Sequence, residues 1–166
     1  VEAYFNQGIS EAERQDLKTA ALCLFKAVEL RPTFTRARDA LATSLMQQGA
    51  YRECLITLQQ GLKITPQHWR GAVMLASLLT SCPDSTLRDP PAAVALAGTV
   101  SKRFGHTNPD VLLVLAGAQA EAHDLEGAIG SARRALGLVD ATQQPKQAAR
   151  ARAHLDRLMS RQQRGG

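Results

Sequence analysis

Four histidines, three cysteines and a pair of nearby aspartates are the residues of this 166-residue chain with the chemistry to hold a metal or drive a reaction. A catalytic or metal-binding set needs its members on one helix face, or at the short spacings of a zinc motif. His68, His106, His123 and His154 share no i, i+4 relation, and no H-E-x-x-H occurs. Cys23, Cys54 and Cys82 form neither C-x-x-C nor C-x-x-C-H, and three thiols cannot all pair within one chain. They read as free thiols acting as small hydrophobes, which favours a reducing compartment such as the cytoplasm. Asp84 and Asp89 stand in a proline-rich stretch without metal-loop spacing and read as turn and cap residues. There is no P-loop, G-x-G-x-x-G or G-x-S-x-G. The sequence therefore points away from an enzyme, and no cofactor or metal is expected.

The elements that carry these residues read as helices throughout. Hydrophobic residues make up 45% of the chain and aromatics only 4%, which suits close-packed helices built on Ala and Leu rather than a β-sandwich. No apolar run approaches the roughly 20 residues of a membrane span. The chain opens on Val1, which suggests a processed protein or a segment of a longer one. The net charge of +5 is unevenly placed. Residues 1–140 hold 14 basic and 14 acidic side chains, whereas residues 141–166 hold six basic ones against Asp156 alone. The body thus lacks a general electrostatic footprint for nucleic acid.

Thr35–Pro66 sets the organisation: a helix, a tight turn at Gly49, a second helix and a closing proline. With Thr35 as place 1 of a 34-residue unit, large residues stand at places 7, 11, 17 and 24 (Leu41, Leu45, Tyr51, Leu58). Small ones stand at places 8, 20 and 27 (Ala42, Cys54, Gly61), and Pro66 at place 32. This pattern resembles the tetratricopeptide repeat (TPR) family. The preceding unit, 1–34, repeats the small places with Gly8, Ala20 and Ala27 and the proline with Pro32, but carries Gln7 and Glu11 where large apolar residues are expected. The third unit, 69–108, has Leu75, Ala76 and Leu79 in register, then a long Ser81–Pro91 turn, and resumes at Ala93, Ala97 and Val100. That turn is similar to an expanded-turn variant found in long bacterial TPR proteins. Within it, Asp89 should cap the next helix and Arg88 should bond turn carbonyls. The fourth unit, 109–140, opens on the N-cap Asn108 and Pro109 and has Asp140 in place of the proline. Residues 144–163 read as a ninth, capping helix with Ala148, Ala151, Leu155, Leu158 and Met159 on one side and arginines on a solvated other side. Residues 164–166 read as a frayed tail.

The resemblance implies a single all-α domain over 1–163, a right-handed α-solenoid of four antiparallel helix pairs plus the capping helix. It also implies a non-catalytic interaction scaffold whose first helices line a groove for a peptide or helix of a partner protein. Carried onto this chain, the groove places are Phe5 and Ile9 in the first unit and Arg36, Asp39, Thr43 and Met46 in the second. The third supplies Arg70, Val73 and Ser77, and the fourth Leu113, Gly117 and Glu121. Phe5, Ile9, Met46, Val73 and Leu113 are the expected apolar anchors, with Arg36, Asp39, Arg70 and Glu121 tuning charge. Phe5 and Ile9 could equally pack on an upstream helix. Of the places that grip a C-terminal carboxylate in chaperone-binding repeats only Arg70 fits, which disfavours that ligand. Other readings are a substrate-recruiting domain of a larger enzyme, nucleic-acid binding through the basic last helix, and self-association through the solenoid ends. Scarce aromatics count against the nucleic-acid reading.

Overall fold

In a computed structural model, residues 1–139 and 143–165 are described. Eight helices form four antiparallel pairs: α1 (Glu2–Glu13) with α2 (Leu17–Leu30), α3 (Thr35–Gln47) with α4 (Tyr51–Ile64), α5 (Trp69–Ser81) with α6 (Pro90–Arg103), and α7 (Pro109–Glu121) with α8 (Leu125–Gly137). The ninth, α9 (Pro145–Gly165), packs on α8 and touches α7. Its helical bounds extend past the expected 144–163 to take in Arg164 and Gly165. Asp140, the expected substitute for the repeat proline, and Gly166 lie outside the described residues.

The turn inside a pair is written three times in the same bonds. Asp16, Ala50 and Asp124 each donate a backbone N–H to the carbonyl five residues back, Glu11, Leu45 and Gln119, at 3.0, 2.9 and 2.8 Å. This closure needs a left-handed residue just before it. Gly49 supplies one at φ 76°, but Gln15 and His123 hold the same place at φ 65° with a side chain attached. Asp16 and Asp124 then cap the second helix through the N–H groups of Thr19 and Gly127. The third pair departs from this plan. A single 3-10 turn, Ser85–Leu87, fills the Ser81–Pro91 stretch, and Asp89 N–H reaches back to the Leu79 carbonyl at 2.9 Å. As expected, the Asp89 side chain caps α6 at Ala92 N–H (3.0 Å), and Arg88 Nε donates to the Cys82 carbonyl (2.6 Å).

Close helix crossings explain the small residues. Ala42, Ala76 and Ala116 on the first helices, and Ala20, Cys54, Ala93 and Ala128 on the second, are all completely buried. At Gly8 an added Cβ would stand 2.6 Å from Leu24 Cγ, so the smallness there is steric. The core is a series of buried clusters along the stack, and in one of them the Leu75, Leu78 and Leu79 face of α5 joins α4, α6 and α7. Packing between neighbouring pairs gives each the apolar cover it cannot provide alone.

Candidate partner-binding groove

The first helices of the pairs, α1, α3, α5 and α7, lie side by side, and α9 extends the row past α7. Two cavities open on this side. One, of about 350 Å³, lies between α1 and α3 and is lined by Ile9, Ala12, Glu13, Thr43 and Gln47 among others. Ile9 and Thr43, predicted groove residues from different repeats, meet there. The other, of about 440 Å³, lies between α5, α7 and α9 and takes in Gly117 and Glu121.

The remaining predicted groove residues are engaged with their own fold to differing degrees. Phe5 packs on Phe34 at 5.1 Å between ring centroids, and the Arg36 guanidinium sits 5.3 Å over the Phe5 ring. Phe5 thus has partners inside this chain. Asp39 Oδ1 accepts a hydrogen bond from His68 Nε2 at 2.7 Å, tying α3 to the start of α5. Arg70 is exposed and lies 5.4 Å over the Trp69 ring. Met46 and Val73 are half-buried and lean on the core, and the Ser77 carbonyl receives the Ser81 hydroxyl. Leu113 must be withdrawn as an open anchor. It is 5% exposed and packs in a cluster with Leu112, Ala135 and Ala151, the last contributed by α9. A helix laid against α7 covers the place that would be open in an uncapped repeat.

The arginine face of α9 also differs from its expected role as a purely solvated outer surface. Arg150, His154, Arg157 and Arg161 fall at helical steps of four, three and four, on one edge. That edge turns toward α7: Arg150 pairs with Asp110 at 3.5 Å and Arg161 with Glu121 at 2.9 Å. His154, Arg157 and Arg161 line the second cavity together with Arg88 from the long turn. Burial, with Arg157 and Arg150 nearby, pushes the His154 pKa below its ordinary 6.5. Its Nε2 is buried without a hydrogen-bond partner. The sequence reading missed this group, although its stepwise spacing was there to be read.

The opposite side of the molecule carries exposed apolar residues that the repeat pattern did not single out. Leu22 and Phe25 of α2 and Ile56 of α4 are 71%, 53% and 45% exposed and border a cavity of about 620 Å³. Among the described residues no group of three His, Cys, Asp or Glu side chains could hold a metal, and no helix is long and apolar enough to cross a membrane.

No family model and no curated protein matches the sequence. Solved structures do match in shape. MamA (41-end) from Desulfovibrio magneticus RS-1 superposes with a TM-score of 0.71 at 15% identity, over 96% of this chain and 93% of that one. A thermophilic TPR protein from Thermus thermophilus gives 0.68 at 16% identity, over 95% of this chain and 80% of that one. MamA AMB-1 gives 0.64 at 20% identity, over 95% and 96%. The fold is therefore a TPR-type helical-repeat solenoid.

Proposed function

We propose that the chain is a non-catalytic protein-interaction scaffold that holds a peptide or helical segment of a partner in the groove along α1, α3, α5, α7 and α9. The observation that carries this reading is the pair of cavities on that side, each built by side chains from more than one repeat. A site shared between repeats reads an extended segment, because successive pockets take successive side chains. Ile9 and Thr43 form the first pocket, and Gly117 and Glu121 belong to the second. Arg36, Asp39, Met46, Arg70, Val73 and Ser77 lie on the helices between them. The TPR-type fold supports the reading through its resemblance to protein-binding scaffolds. A substrate-recruiting domain of a larger enzyme would use the same groove.

The test is selection of binding peptides from a random display library on the immobilised chain. Selected peptides should lose binding to Ile9→Arg or Thr43→Arg and keep it with Ile56→Arg on the opposite side. Peptides insensitive to both groove variants would remove the groove from consideration.

A further inference from the structure

The cavity between α5, α7 and α9 carries an excess of positive charge, which it shares with an adjoining cavity on α9 lined by Arg157, Arg161, Arg164 and Asp156. Arg88, Arg157 and Arg161 line it, and Glu121 is the one carboxylate among its lining residues. Glu121 is already paired with Arg161. Arg88 spends its Nε on the Cys82 carbonyl at 2.6 Å, and Arg157 spends its Nε on the Ala153 carbonyl at 3.2 Å. Both therefore present the two terminal nitrogens of the guanidinium, the fork that grips a carboxylate in bidentate fashion. His154 adds the buried, partnerless Nε2. Gly117 keeps the floor shallow: an added Cβ would already touch His154 Cε1 and Thr80 Cγ2 at 3.9 Å.

We propose that this cavity binds an acidic peptide segment, with Asp or Glu carboxylates of the partner taken by Arg88 and Arg157. This inference rests on the groove reading above and specifies what its C-terminal end prefers. A nucleic-acid backbone fits the same charge less well. No aromatic side chain lines the cavity for base stacking. The neighbouring Arg150 and Arg161 are matched by Asp110 and Glu121, so the basic edge of α9 does not offer an unbroken phosphate track. Two guanidinium groups that keep their terminal forks suit one or two carboxylates. Neither the site nor its ligand corresponds to the chaperone-type clamp, since the charges come from a turn and the last helix rather than from the first helices of successive repeats.

The experiment is fluorescence anisotropy of labelled oligoglutamate, oligoglutamine and oligothymidylate with the whole chain at fixed, low salt. Oligoglutamate should bind tighter than oligoglutamine. Arg157→Ala should weaken it by about tenfold, the scale of one lost charge-assisted bond. Arg157→Lys should retain part of the affinity, and Ile56→Gln on the opposite side of the molecule should leave it unchanged. Equal binding of the two peptides, an Arg157→Ala variant indistinguishable from wild type, or oligothymidylate binding more tightly than oligoglutamate would each overturn the proposal. Arg157 is exposed, so its replacement leaves the fold intact, and matching thermal melts verify this. If display-selected peptides still depend on Ile9 while oligoglutamate shows no preference, only the acidic specificity fails. If neither variant affects any peptide, the groove itself fails.

Discussion

Arg38 lies across Gly61. A methyl added to that glycine would overlap Arg38 Cδ and stand 2.9 Å from its Nε. The arginine is 4% exposed, and its guanidinium donates to the Pro32 carbonyl at 2.8 Å and to the Thr57 carbonyl at 3.4 Å. It therefore cannot swing aside without abandoning these part-buried bonds.

Gly61→Ala should accordingly destabilise the protein. Helix propensity favours Ala by about 1 kcal/mol, but overpacking costs about 1–3 kcal/mol, and the loss of Arg38 bonds adds to it. A lower urea midpoint is the expected result; a higher one would mean that Arg38 repacks freely.

Gly98 and Gly130 are the opposite case. Both sit inside helices, α6 and α8, with nothing within 4 Å of an added Cβ. Gly98→Ala and Gly130→Ala should each raise stability by about 0.5–1 kcal/mol, read as an increase in the urea midpoint at unchanged slope.

Ala42→Leu and Ala128→Leu should lower the melting temperature, since both alanines are completely buried at helix crossings. The penalty is on the order of 1–3 kcal/mol. An unchanged melt would mean that neither alanine marks a close crossing.

The small and large places of the repeat were legible in the sequence because a close crossing dictates side-chain size locally. Ala20, Ala42, Cys54 and Ala76 all proved completely buried. The turn chemistry of Asp89 and Asn108 was legible for the same reason, as capping depends on adjacent residues. The burial of Leu113 was not legible. The apolar stripe of α9 shows which side it buries, but not which neighbour receives its basic edge. The exposed Leu22, Phe25 and Ile56 were unread because outward places of the second helices obey no size rule.

The thiols should separate by reactivity. Burial, with Cys82 nearby, pushes the Cys54 pKa up to about 11, and Cys82 is 1% exposed, whereas Cys23 is half-buried. With a thiol reagent at mildly alkaline pH, Cys23 should react first, and Cys54 and Cys82 only as the fold opens. Rapid titration of all three in the native protein would contradict this packing.

Acid should weaken the fold through His154. Its folded pKa is depressed below 6.5, so the unfolded chain binds the proton more readily. Its contribution is present above the unfolded value and is lost as pH falls from there through the folded pKa. Melts across that window should show a decline that His154→Gln reduces. Glu121, Arg88, Arg157 and Arg161 line the cavity with His154, Arg150 stands nearby, and together they set the background against which the difference is read. An identical decline in the variant would assign the acid sensitivity elsewhere.

The bond from Asp89 N–H to the Leu79 carbonyl pinches the Ser81–Pro91 stretch at its base. Leu87 anchors its interior to the core, while Pro83, Asp84 and Ser85 stand exposed beyond the pinch. Chain length there is decoupled from the stacking of α5 on α6. The stretch is thus a cassette port: an epitope, a cleavage sequence or a small reporter could be spliced in beside Asp84 without resetting the register of the modules on either side.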